Sequence, residues 1–301
     1  MTLPAPAAPF GRALCAMITP FSPAGDALDL PGAQKLAAGL LSGGCDGLVL
    51  NGTTGESPTT TDAEKTALVR AVREAVGPGT PLVAGVGSAD TAHTVELALA
   101  AERAGADGLL VVAPYYSRPP QAALEAHFRR VADAVSVPVM LYDIPVRTGV
   151  RIEPETMLRL SEHPRIAAVK DCAYDLLGSA GVLARTGLAY YAGSEELILP
   201  LRTAGGTGYV STVANAAPGE LRAALDAYDR GEVAEATRQY RRTLPLVELM
   251  MAAGLPGTVT AKALLNALGM PAGPVREPLQ PAAAAVTEAL LTAHHDLTAQ
   301  G

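Results

Sequence analysis

The chain has 301 residues, long for an ordinary domain and normal for a single α/β barrel. Hydrophobic residues make up 49% and charged ones 18%, enough for a large core, and a net charge of −7 sets nucleic acid and anionic membranes aside as partners. No apolar run approaches the ~18 residues a membrane span needs, and three cysteines, an odd number, argue against a disulfide framework and fit a reducing, cytoplasmic compartment.

The first twelve residues, broken by prolines and without a basic residue before Arg12, predict a flexible arm and not a signal peptide. Short apolar runs then alternate with longer Ala-rich amphipathic stretches, the βαβα pattern of a parallel sheet. The strand runs are 13–19, 47–51, 82–86, 108–113, 139–143, 166–171, 190–193 and 208–212. Helical spacing marks 62–76, opened by the capping box Thr61-x-x-Glu64, and 91–105. A weak repeat supports the count: Gly44-Cys45-Asp46-Gly47 recurs as Gly105-Ala106-Asp107-Gly108 and more loosely as Gly205-Gly206-Thr207-Gly208, each placing a helix-ending glycine just before a strand. Eight strands within residues 1–231 read as a (β/α)8 TIM barrel. A doubly wound sheet is the rival, but no G-x-G-x-x-G follows the first strand. After Gly231 the strand signal stops, and stretches 233–253, 258–268 and 281–298 form a C-terminal helical appendage over 232–301, read as a subunit contact.

In such a barrel the chemistry stands at the C-terminal ends of the strands. The second strand ends in Asn51-Gly52-Thr53-Thr54-Gly55-Glu56-Ser57, either a plain turn into a helix or a tight loop able to hold a carboxylate or phosphate. The fifth ends in Tyr142-Asp143-Ile144-Pro145-Val146-Arg147-Thr148-Gly149; a phenol and a guanidinium at one rim can serve as acid/base and carboxylate clamp, although each alone is commonly core or surface. The sixth closes Ile166-Ala167-Ala168-Val169 with Lys170-Asp171. A lone lysine there more often snorkels to water; the alternative is a desolvated amine able to attack a carbonyl and form a Schiff base. Tyr115-Tyr116 follow the fourth strand on a loop, where paired aromatics mark an interface or a contribution to a neighbour's pocket. No zinc-spaced cysteines, Walker loop or G-x-S-x-G motif occurs, and His93, His127, His163, His294 and His295 have no matching carboxylate cluster. Cys172 reads as a reactive thiol or, more simply, a small core residue. Arg241-Arg242 reads as a solvated helix face.

Taken together, G-T-T-G-E-S, P-Y-Y-S-R-P, Y-D-I-P-V-R-T-G and V-K-D resemble the dihydrodipicolinate synthase / N-acetylneuraminate lyase family of class I pyruvate aldolases, in family order and spacing. The stretch from Cys45 to Lys65 looks like the actinobacterial synthases in particular. The resemblance implies that Lys170 forms the Schiff base with pyruvate, and that Tyr142 moves protons through the Thr53 hydroxyl to Tyr116 of a neighbouring subunit. It places Thr54, Val210 and Gly193 around the pyruvate and Arg147 on the carboxylate of the incoming aldehyde. It implies a homotetramer built as a dimer of dimers, no metal or cofactor, and condensation of pyruvate with L-aspartate 4-semialdehyde to 4-hydroxy-tetrahydrodipicolinate, in lysine and diaminopimelate synthesis. Thr53 and Arg147 favour the synthase branch over the sialic acid lyases.

Three positions depart from the family pattern: Tyr174 where a glycine is frequent, Val146 before the arginine, and Ser194-Glu195 for a pair of aspartates. All are expected on the acceptor side, which keeps open a related pyruvate aldolase taking another aldehyde, and beyond it a barrel that binds a keto acid without turnover. Pro58, Asp62, Lys65, Ala89 and His93 replace the contacts of lysine-sensitive relatives, so lysine feedback is not expected.

Overall fold

The computed structural model describes residues 7–251 and 254–299. The start of the expected N-terminal arm, 1–6, and the expected end of the 233–253 helix, 252–253, lie outside the described residues. In chain order the first half of the barrel runs β1 (Ala13–Ala16), α1 (Leu30–Ser42), β2 (Gly47–Leu50), α2 (Asp62–Val76), β3 (Leu82–Gly85), α3 (Thr91–Arg103), β4 (Gly108–Val112) and α4 (Gln121–Ala134). The second half is β5 (Val139–Asp143), α5 (Pro145–Thr148), α6 (Pro154–Ser161), β6 (Ile166–Asp171), α7 (Leu176–Leu183), β7 (Ala189–Ala192), α8 (Ile198–Thr203) and β8 (Gly208–Ser211). Helices α9 (Pro218–Asp229), α10 (Val233–Met251), α11 (Gly257–Ala267) and α12 (Ala284–Thr298) complete the described chain. The strands order β1 through β8 in a closed parallel barrel, the fold expected from the sequence, with a C-terminal helical segment after it.

The strand ends have local causes. β2 stops at Leu50 because Asn51 turns into the left-handed region at φ 54. The repeated glycines Gly44, Gly105 and Gly205 take φ of 117, 99 and 104, as a chain leaving a helix for a strand requires. The repeat also carries a capping carboxylate: Asp46 accepts from the Ala13 amide at 3.0 Å and Asp107 from the Leu82 amide at 2.8 Å, each at the first residue of the preceding strand. The capping box of α2 forms as read, Thr61 Oγ1 accepting from the Glu64 amide and the Glu64 carboxylate from the Thr61 amide.

Two compact units emerge, one of residues through Arg12 with Pro81–Val210, the other Ala13–Thr80 with Ser211–Gly301. In the first, β5, β6 and β7 run in register, Tyr142 beside Lys170 and Lys170 beside Tyr191. A small cavity under α6 and α7 is lined by Asp143, Val169, Asp171 and Tyr190, with Met157 and Val182 from the helices. Those strand side chains therefore face the helices, and by the two-residue alternation of a strand Tyr142, Lys170 and Tyr191 face the barrel interior. In the second unit α9 and α12 each pack on α10, and Leu221, Ala224, Leu246, Met250 and Leu290 on these helices are buried.

Candidate active site

Lys170 is the last residue but one of β6, is 5% exposed, and stands between Tyr142 of β5 and Tyr191 of β7 in the strand register. The snorkelling alternative is thus not the one observed: the ammonium position is inside. Its Nζ stands 4.5 Å from the centre of the Tyr142 ring, itself buried at the matching register of β5. Gly193, at the exit of β7, presses against the lysine; a Cβ there would fall 2.9 Å from Lys170 Cε and 3.0 Å from Cγ, and closer still to Cys172 Sγ. The Cys172 thiol donates to the Tyr142 hydroxyl at 4.0 Å. Three predicted site residues, Lys170, Tyr142 and Gly193, are thereby brought together, with Cys172 as a fourth member of the cluster.

Electrostatics around this cluster follow burial. Burial pushes the Cys172 thiol up to about 11, against the opposing pull of the Lys170 charge, so the residue is a neutral thiol at ordinary pH and not a reactive thiolate. On the helix side, burial raises the Asp143 carboxyl to about 7 and raises Asp171 as well, each next in sequence to a site residue. Asp143 accepts from the Ile152 amide at 3.2 Å, and Asp171 from the Ala173 amide at 2.8 Å and the Ser179 hydroxyl at 2.5 Å. These bonds fix the strand ends that carry Tyr142 and Lys170.

The remaining unit-one residues lie at its surface or within a strand. Arg147 is exposed on the single turn α5, which Pro145 starts and Gly149, at φ 73, ends. The P-Y-Y-S-R-P loop packs onto that turn, since a Cβ on Gly149 would lie 2.6 Å from Arg118 Nε. Tyr116 on this loop takes φ 73 and is 95% exposed. Val210 is buried within β8.

Thr53 and Thr54 belong to the second unit. Their loop is tight: a Cβ on Gly55 would meet Thr19 Oγ1 at 3.1 Å, the Asn51 amide nitrogen at 3.2 Å and the Met17 carbonyl at 3.3 Å. Thr54 Oγ1 shares a 2.9 Å hydrogen bond with Thr212 Oγ1, and the Thr53 carbonyl accepts from the Thr258 hydroxyl at 3.3 Å. Behind the loop, Glu56 at φ 56 sends its carboxylate to Lys262 Nζ at 2.6 Å, and both side chains are almost fully buried. Lys262 also donates to the Pro274 carbonyl at 2.8 Å and lies 4.0 Å over the Phe21 ring. In the sequence this buried lysine shows only as a charge inside the apolar stretch Ala261-Lys262-Ala263-Leu264-Leu265.

Comparison with known proteins gives the family. The dihydrodipicolinate synthetase family model covers residues 9–298. The chain belongs to the dihydrodipicolinate synthetase family. It is 71% identical over 299 residues to 4-hydroxy-tetrahydrodipicolinate synthase 1 of Streptomyces coelicolor, covering 99% of this chain and 98% of that protein. Among solved structures it is similar to the dihydrodipicolinate synthase of Cyanidioschyzon merolae crystallised with lysine bound, at a TM-score of 0.93 and 37% identity over 96% of this chain and 99% of that one. It is also similar, at a TM-score of 0.91 and 29% identity over 96% and 97% of the two chains, to a family variant described as the first monomeric one.

Proposed function

We propose that this family member is a lyase-class synthase that condenses pyruvate with L-aspartate 4-semialdehyde through a Schiff base on Lys170, giving 4-hydroxy-tetrahydrodipicolinate for lysine and diaminopimelate synthesis. The observation that carries the chemistry is the buried Lys170 amine against the buried Tyr142 phenol.

The amine attacks the keto carbon of pyruvate and water leaves, forming an iminium. That electron sink acidifies the adjacent methyl group, and loss of one proton gives an enamine. The enamine carbon bonds to the aldehyde carbon, whose oxygen takes a proton. The acceptor's amino group then adds to the iminium carbon, closes the ring and releases the Lys170 amine. Tyr142 is the group within reach of these protons, with Thr53 and Tyr116 continuing the relay. Thr54, Gly193 and Val210 hold the pyruvate end, and the exposed Arg147 clamps the acceptor carboxylate. A tyrosine that is 95% exposed supports delivery of Tyr116 into a neighbouring subunit, and the homotetramer is the assembly that the family resemblance implies. The enzyme acts in the cytoplasm; among the described residues no helix is long and apolar enough to cross a membrane.

The test is a coupled assay of the purified protein with pyruvate and aspartate semialdehyde, following product through the downstream reductase. Turnover that disappears in Lys170→Ala, with the fold retained, is expected. Turnover undiminished in that variant would remove the mechanism. A second reading, an aldolase for another aldehyde, is favoured by Tyr174 on the β6 exit, and would show as pyruvate trapped on Lys170 without condensation.

A further inference from the structure

The departure noted in the sequence at Tyr174 is tied to the loop that carries Ser194-Glu195. Tyr174, four residues past Lys170, donates its phenol to Glu196 Oε1 at 2.5 Å. Cys172, two residues before Tyr174, donates its thiol to Tyr142, and Gly193, three residues before Glu196, lies against the Lys170 stem. The Tyr174–Glu196 bond thus ties the exit of the strand that carries Lys170 to the exit of the strand that ends at Gly193.

Tyr174 is also held on its backbone. It takes φ 57, a conformation that favours glycine, between β6 on one side and Asp175 on the other. Asp175 is fixed in turn, accepting from the Gly178 amide at 2.9 Å and pairing with Arg151 at 2.6 Å. Burial and the Glu196 bond push the phenol up to about 12, so it stays a neutral donor to that carboxylate at working pH. The side chain is nonetheless 60% exposed, so a bulky ring is pinned where molecules arriving from solvent meet it.

Resting on the pyruvate-aldolase reading, we propose that Tyr174 is a specificity-determining residue: the bulk of its ring walls the β6–β7 side of the Lys170 mouth and excludes acceptor aldehydes longer than four carbons. Tyr174→Gly removes the ring and suits the local backbone, and Tyr174→Phe keeps the ring without its hydroxyl.

The readout is the ratio of kcat/KM for aspartate semialdehyde to kcat/KM for 6-oxohexanoate, a longer unbranched oxo acid, followed by pyruvate consumption. Tyr174→Gly is expected to lower this ratio at least about tenfold, the scale on which a pocket discriminates a methylene or two. Tyr174→Phe is expected to leave it near the wild-type value, and in both variants the KM for pyruvate and borohydride trapping on Lys170 stay unchanged. A purely structural tie between two loops would shift thermal stability and not this ratio. The inference is overturned if Tyr174→Gly leaves the ratio where it was, or if Tyr174→Phe moves it as far. A wild type that traps no pyruvate refutes the aldolase reading itself, whereas one that turns over with an unmoved ratio refutes only the role of Tyr174.

Discussion

Gly193→Ala tests how closely the barrel holds its lysine. The added methyl carbon would stand 2.9 Å from Lys170 Cε and 3.0 Å from Cγ, with Cys172 Sγ nearer still. Ordinary carbon contacts lie at about 3.5–4.0 Å, so the lysine stem must yield by roughly 0.5–1 Å. Misplacing a reacting group by about 1 Å costs on the order of 100-fold in rate, and overpacking a buried site costs about 1–3 kcal/mol of stability. Gly193 shows no left-handed φ, so alanine is acceptable to the backbone and steric crowding alone is being tested. The expected result is a fall in kcat of roughly 10- to 100-fold, slower trapping of pyruvate by borohydride, an unchanged circular dichroism spectrum and a Tm lower by a few degrees. Because the thiol is the nearest obstacle, adding Cys172→Ala should return part of the lost rate. Wild-type kcat and Tm in Gly193→Ala would show that the lysine is not held by this contact and refute the reasoning.

Lys262→Met leaves the buried Glu56 carboxylate without its 2.6 Å partner and is expected to cost about 3–5 kcal/mol, measured by denaturant unfolding. Adding Glu56→Leu should recover much of it, and a Lys262→Met protein as stable as wild type would show the pair to be dispensable. The Asp143 carboxyl, raised from 3.8 to about 7 by burial, keeps its proton in the folded state while the unfolded chain has released it. Stability should therefore be fullest below pH 4 on this group's account and fall as pH rises to about 7, by up to ~4 kcal/mol. Thermal melts of Asp143→Asn across that range should be flatter than wild type, and an unchanged slope would assign the dependence elsewhere. Mixed oligomers of Tyr116→Phe and Lys170→Ala should show activity that depends on which subunit carries each change; indifference to the arrangement would end the shared-site idea.

Much of the fold was legible because its signals are local. A parallel strand buried on both faces is a short apolar run, and the runs at 139–143 and 166–171 coincide with β5 and β6 to the residue. Where ends differ, a backbone turn decides: Asn51 leaves the β region at φ 54, which residue type alone does not announce. The Lys170–Tyr142 pairing was readable once both were placed at strand ends, since register then makes them neighbours. The Cys172–Tyr142 link and the Tyr174–Glu196 bond were not, because they join residues from separate strand exits whose side-chain directions depend on the tertiary fold. The Glu56–Lys262 pair was hidden for the same reason: it joins a loop and a helix more than two hundred residues apart, and only burial distinguishes it from two surface charges.

The Schiff base on Lys170 is tested most directly by borohydride reduction of the purified protein in the presence of pyruvate, with the site of attachment located by peptide mass spectrometry. One reduced pyruvyl adduct per chain is expected, on the peptide carrying Lys170, and none in Lys170→Ala. An adduct on another lysine, or no adduct while the protein still condenses pyruvate with aspartate semialdehyde, would contradict it.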